Sequence, residues 1–236
     1  SVVISSPAVT RPVTASIAND AFTAAVALAE GLNILTATAV SNAGNVGTST
    51  IRVTVDTVAP LVSLTAPKDQ SLTNKKMITV TGTVDDSLAV VKVNNTPVQV
   101  SRGVFTLSGV NLAEGTNTIT ATAADRAGNQ AKPAGVVVVL KTVPPTPPMI
   151  GDMPLISKIS QITVAGTAEP GAQVELFLNS ASQGSLKTDQ KGMFSFNVVL
   201  QEGNNAFSAV ASDVVGNVSA SSSVVNVFYD KTAPRI

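Results

Sequence analysis

Asp85 and Asp86 stand side by side, and two carboxylates can divide acid and base work between them. Hydrolytic pairs need side chains that face each other across roughly 5–9.5 Å. Neighbours along a strand or turn point apart, so this pair reads as a solvated turn. Serines and threonines are plentiful, but the chain has 0 histidines and 0 cysteines. Without His the usual base near neutral pH and the commonest metal ligand are both missing. Without Cys there is no disulfide, thiolate nucleophile or zinc–thiolate site, and a hydroxyl with no base beside it is a poor nucleophile. Gly-x-x-Gly runs open no helix, so no phosphate cradle is expected. An internal isopeptide bond would need a buried lysine beside a carboxylate, and Lys92 and Lys158 fall at surface-facing positions near strands. Asn94-Asn95-Thr96 and Asn217-Val218-Ser219 match the glycosylation sequon, although Asn217 already has a turn to make. No catalytic residue, no cofactor-binding residue and no metal ligand is assigned.

Composition narrows the partners. Charged residues make up 13% of the 236, with 15 basic against 15 acidic side chains and a pI near 6.2. A chain with no excess charge sets up no field to hold a phosphate backbone or an anionic membrane surface. With 0 Trp, 1 Tyr and 3% aromatic residues it also offers few flat platforms for stacking bases or sugars. The longest aliphatic run is Val136 to Leu140, far short of the ~20 residues that span a bilayer. No basic and apolar leader pattern follows Ser1. Nucleic acid and membrane insertion are therefore not expected.

The elements that must position these side chains come from a repeat. Residues 28–45 read LAEGLNILTATAVSNAGN, residues 112–129 read LAEGTNTITATAADRAGN, and residues 200–217 read LQEGNNAFSAVASDVVGN. A second block recurs as DTVAP at 56–60, KTVPP at 141–145 and DKTAP at 230–234, and a third as ITVTGTV at 78–84 and ITVAGTA at 162–168. The glycines of the E-G pairs, Gly31, Gly115 and Gly203, lie 84 (115 − 31) and 88 (203 − 115) residues apart. That period suits a small sandwich domain of the Ig type, which holds ~100 residues.

Within each repeat, apolar and polar residues alternate as in a half-buried strand. Ile119, Ala121 and Ala123 share one face, Thr118, Thr120 and Thr122 the other, and the inward row recurs as Leu35, Ala37, Ala39 and as Phe207, Ala209, Ala211. Further strands are expected near 61–65, 88–94, 97–101 and 103–108, and near 173–178, 183–188 and 192–199; no helix is expected. The E-G pairs and the A-G-N or V-G-N triplets at 43–45, 127–129 and 215–217 supply the turns. The proline-rich blocks, Thr142 to Pro148 above all, read as stiff joints. The fold class is all-β, tandem Ig-like β-sandwich domains arranged as an extended rod. The expected divisions are 1–57, a partial domain whose first strands are missing; 58–142 and 143–231, two whole ones; and 232–236, the start of a following repeat. On this reading the chain is a window on a longer array. The missing strands belong to the parent chain, or else another molecule adds them along the open edge.

The motifs L-x-E-G-x-N, A-x-A, D-x-A-G-N and D-x-x-A-P together resemble bacterial Ig-like domains of large secreted and cell-surface proteins, including the accessory sandwich of glucodextranase-type enzymes. The resemblance covers nearly the whole chain. It implies a noncatalytic module in a bacterial extracellular or cell-surface setting, working as stalk, adhesin segment or spacer. Its partners would be the neighbouring repeats of the same parent chain, with a protein partner or self-assembly left open. In some relatives, aspartates of the loop and linker hold calcium between domains, and the matching positions are Asp125 and Asp213 in the loops and Asp56 and Asp230 in the linkers. Ser41 and Lys141 depart from that pattern. Pairing each linker with the loop before it gives only the third joint two aspartates, Asp213 and Asp230. The bland alternative is that each aspartate caps its own turn.

Overall fold

The structure is a computed structural model that describes residues 1–7 and 11–232. All regular elements among the described residues are strands. The first repeat carries β1 (Val2–Ser5), β2 (Val13–Thr14), β3 (Ser16–Ala18), β4 (Ala21–Thr23), β5 (Gly31–Val40) and β6 (Val46–Val55). The second carries β7 (Val62–Ala66), β8 (Ser71–Thr73), β9 (Met77–Val84), β10 (Val90–Val93), β11 (Thr96–Val98), β12 (Val100–Ser101), β13 (Val104–Asn111), β14 (Gly115–Ala124) and β15 (Ala134–Leu140). The third carries β16 (Met149–Ile150), β17 (Ile156–Ser157), β18 (Gln161–Thr167), β19 (Gln173–Leu178), β20 (Ala181–Lys187), β21 (Met193–Val199), β22 (Gly203–Ser212) and β23 (Val225–Tyr229). The segment expected to begin a following repeat lies, apart from Thr232, outside the described residues.

Two compact units emerge, and their boundary runs through the second repeat. One holds Ser1–Pro67, Thr79–Ser108 and Ile119–Val136; the other holds Lys68–Ile78, Gly109–Thr118 and Val137–Ile236.

In the first unit, β5 and β6 form a hairpin in register over its full length, from Gly31 opposite Val55 to Val40 opposite Val46. With β1 and β2 they make the sheet β2-β1-β5-β6. Turn glycines supply the positive φ that the E-G and A-G-N turns require, 89° at Gly31 and 83° at Gly44. The same unit buries Val80 and Val84 of β9, Val91 and Val93 of β10, Phe105 of β13, and Ile119, Ala121 and Ala123 of β14. The ring of Phe105 lies so close to Gly82 that a Cβ there would stand 2.2 Å from Phe105 Cζ. In the first repeat the corresponding inward row is thinly covered: Leu35 and Ala37 are half-buried and Ala39 is exposed. Its buried core consists of Val2, Ile4 and Ala15.

The second unit contains a complete sandwich. The sheets β16-β18-β21 and β17-β23-β22-β19-β20 close over Val164, Phe194 and Val198 from one side and Val174, Leu176, Leu178, Phe207, Ala209, Ala211 and Val227 from the other. Gly166 repeats the arrangement at Gly82, with Phe194 Cζ 2.3 Å from where a Cβ would sit. Small residues at these crossings let a phenylalanine seal the core without a tryptophan or a disulfide. Two short strands pair in parallel with long ones, β8 with β15 and β17 with β23.

Candidate functional site

Polar side chains gather where one repeat passes into the next. Each E-G-x-N turn is stapled by its asparagine. The side-chain oxygens of Asn33, Asn117 and Asn205 accept from the amides of Ala29, Ala113 and Gln201 at 3.0, 2.8 and 2.8 Å. Their Nδ2 groups donate to the carbonyls of those same residues and, at 2.9 Å, to those of Gly31, Gly115 and Gly203. The staple holds the preceding glutamate outward against the linker. Glu30 accepts from Thr57 Oγ1 at 2.7 Å and from its amide at 3.1 Å, and Glu114 grips Thr142 at 2.7 and 3.0 Å in the same way. The hydrogen bond from the Thr142 hydroxyl holds the Glu114 carboxyl below the usual range. In the third repeat Glu202 pairs with Lys231 at 2.6 Å instead.

The linker is gripped from its other side by the repeat that follows. Asn129 Nδ2 donates to the carbonyl of Asp56 at 2.9 Å, and Asn217 Nδ2 to that of Lys141 at 2.8 Å. Each asparagine is itself positioned by the aspartate of its loop. Asp125 Oδ1 accepts from the amides of Gly128 and Asn129, and its Oδ2 from Asn129 Nδ2. Asp213 does the same toward Val215 and Asn217. At Asp125 the Asn129 side chain lowers the carboxyl pKa. At Asp213 burial works to raise it, but hydrogen bonds from Asn217, Lys141 and Val215 prevail and bring it from 3.8 to about 2.

This corrects the pairing of loops and linkers. Each linker meets the loop of the repeat after it, not the one before. Asp56 therefore belongs with Asp125, and Lys141 with Asp213. The loop at Ser41, which caps only the amide of Asn45, sits at the opposite end of β6 from the linker. A ten-residue strand places those ends about 33 Å apart.

At the first joint Asp56, Asp85, Asp86 and Asp125 line one open pocket of about 400 Å³ with Val58, Ala59 and Pro60. Hard oxygen donors are the type calcium takes, 6–8 at a time. Each of these carboxylates also accepts from a backbone amide through its Oδ1: Asp56 from Val58, Asp85 from Leu61, Asp86 from Leu88 and Asp125 from its own loop. Among the described residues no three acidic side chains converge closely enough to hold a metal ion. At the second joint the Lys141 ammonium stands 3.2 Å from Asp213 Oδ2. Among the described residues neither joint gathers a converged set of acidic ligands. Asp230 caps Thr232 through its amide and hydroxyl at 2.9 and 2.6 Å. Asp85 and Asp86 also fall on a turn, separately engaged. Lys92 and Lys158 are exposed. Asn94 of the first sequon is exposed and accepts from the amide of Thr120 at 2.8 Å, whereas Asn217 of the second is committed to the joint. Sequence reasoning passed over Glu30, Glu114 and the asparagine staple. The signal was there, since E-G-x-N recurs unchanged in all three repeats.

Comparison with known proteins agrees with this architecture. Residues 60–141 match the family model of glucodextranase domain B, and residues 154–227 that of the bacterial Ig domain. The chain is 28% identical over 193 residues to Bacillopeptidase F of Bacillus subtilis (strain 168), which covers 78% of this chain and 13% of that protein. The fibronectin(III)-like modules of Clostridium thermocellum CbhA superpose with a TM-score of 0.45 at 18% identity, covering 72% of this chain and 94% of theirs. A Ca2+-stabilized adhesin with which an Antarctic bacterium binds ice gives a TM-score of 0.44 at 18% identity, covering 98% and 66%. The chain is thus an all-β protein of tandem Ig-like repeats, similar over residues 60–141 to glucodextranase domain B and over residues 154–227 to the bacterial Ig domain.

Proposed function

We propose that this chain is a noncatalytic spacing segment of a bacterial extracellular or cell-surface protein, holding whatever flanks it at a set separation. What carries the reading is the two-sided grip on each linker, by a glutamate of the repeat before and an asparagine of the repeat after. A loose tether between independent modules needs neither hold; an ordered row of modules needs both. The partners are neighbouring repeats. The family model of glucodextranase domain B and the likeness to Bacillopeptidase F favour a second reading, an accessory region of a secreted enzyme whose chemistry lies elsewhere. Both readings agree that these residues catalyse nothing.

Small-angle scattering of the chain tests the spacer. At about 35 Å per sandwich the largest dimension comes to roughly 100 Å. Glu114→Ala combined with Asn217→Ala broadens the distance distribution. A compact particle with a radius of gyration of about 18 Å, as for a single globule of this length, would overturn the reading. So would turnover of a glycan or peptide substrate that a single substitution abolishes.

A further inference from the structure

The two joints are built from the same parts except at one position. Glu30 and Glu114 hold Thr57 and Thr142 alike. Asp85 and Glu169 accept alike from the first amide after the linker proline, Leu61 at 2.7 Å and Thr146 at 3.0 Å. Asn129 and Asn217 bind the linker carbonyl alike. At the second joint the residue that offers that carbonyl also sends its side chain back to the loop. The Lys141 carbonyl accepts from Asn217 Nδ2, Asn217 Nδ2 donates to Asp213 Oδ2 at 2.9 Å, and Lys141 Nζ closes the ring on that same oxygen. The Asp213 side chain is only 6% exposed and that of Lys141 40%, so the ring is buried at its carboxylate and open to water at its ammonium. At the first joint the corresponding residue is Asp56. It accepts from the amide of Val58 and lines the same open pocket as Asp125, to which it sends no positive charge. Among the described residues neither Asp56 nor Asp125 has a basic partner.

We propose that the joints are unequal: both linkers are gripped from two sides, but the second is held further by the Lys141–Asn217–Asp213 ring, and the first, where Asp56 stands in place of the lysine, is the more bendable of the two. This goes beyond the spacing role and stands on joint geometry alone. Attraction across the ring opposes separation of linker and loop at the second joint, and among the described residues the first joint has no ion pair to do the same. Swapping one residue therefore exchanges the mechanical character of the joints.

The chain has no native cysteine, so pairs of introduced ones can carry spin labels. Thr48→Cys with Lys92→Cys reports on the first joint, and Lys92→Cys with Lys187→Cys on the second; all three positions are exposed. Pulsed dipolar spectroscopy on the full chain is expected to show the broader distance distribution across the first joint. Asp56→Lys narrows it to the width of the second, and Lys141→Asp broadens the second to that of the first. Lys141→Arg, which keeps the charge, leaves the second narrow. Equal widths in the unsubstituted joints would overturn the proposal. An unchanged first joint in Asp56→Lys would do so too, because Pro144, Pro147 and Pro148 of the second linker would then account for the difference by themselves. Lys141→Gln is the second variant should Lys141→Asp fail to fold, and it must also broaden the second joint. The largest dimension of the unsubstituted chain tests the spacing role, and the relative widths at the two joints test this proposal.

Discussion

Asn205 shows how much one polar side chain does in these repeats. It is 0% exposed and makes three hydrogen bonds to its own turn. Replacing it with alanine leaves an amide and two carbonyls of a partly buried turn without their partner. Asn205→Ala should lower stability by about 2–3 kcal/mol in urea denaturation, and Asn117→Ala by less, since Asn117 is only half-buried. Asp213 makes an acid-sensitive contribution. Its folded pKa of about 2 lies below the ordinary 3.8, so the unfolded chain takes up the proton first as pH falls. The stabilisation is fully present above pH ~4 and is lost as pH drops from there toward ~2. Urea midpoints between pH 6 and 2 should fall more steeply for the unsubstituted chain than for Asp213→Asn; parallel curves would contradict this assignment.

Among the elements, the strand crossings at Gly82 and Gly166 are the tightest points. A methyl group at either meets a phenylalanine ring and, at 2.3 Å, a backbone carbonyl oxygen. Gly166→Ala should therefore cost about 1–3 kcal/mol or more through overpacking. The phenylalanines themselves separate the repeats. Phe105 and Phe194 are 1% and 3% exposed, and Phe22, which occupies the like position ahead of the first E-G turn, is 47% exposed. Phe194→Ala should cost about 3–5 kcal/mol and Phe22→Ala under about 1 kcal/mol, measured on the same chain by denaturant unfolding. A comparable loss from both would mean that the first repeat is covered in solution. The alternation of β14 and β22 was legible in the sequence because one face is buried, and period two records burial directly. β8 and β17 were not. Strands of three and two residues are too short to show a period, and they exist because a long neighbour offers its edge.

For the whole molecule, the proposed spacing role makes calcium the ion to test at the joints. Lys141 occupies Asp213, and among the described residues the carboxylates of the first joint do not converge into a cluster, so little response to calcium is expected. Melting temperature measured by calorimetry should change by no more than about 2 °C between millimolar calcium and chelator, since only a ligand that binds the folded chain can raise it. A saturable rise with calcium that disappears in Asp125→Ala would reverse that conclusion.

The sequence by itself determined that the chain is all-β and repeated, where the long strands and their turns fall, and that His and Cys chemistry is absent. These are local properties, since alternation, turn glycines and residue type can be read within one repeat. It did not determine which loop meets which linker. Residues 41–45 lie closer along the chain to Asp56 than residues 125–129 do, and sequence proximity favoured the wrong one. A linker leaves a sandwich at the end opposite the loop that precedes it, because β6 runs the length of the domain in between. The contact that matters is made 73 residues away, by Asn129 on Asp56, and 76 residues away, by Asn217 on Lys141. Only the tertiary structure brings those residues together, and only there does Lys141 change from a departure in a motif into the side chain that closes a ring.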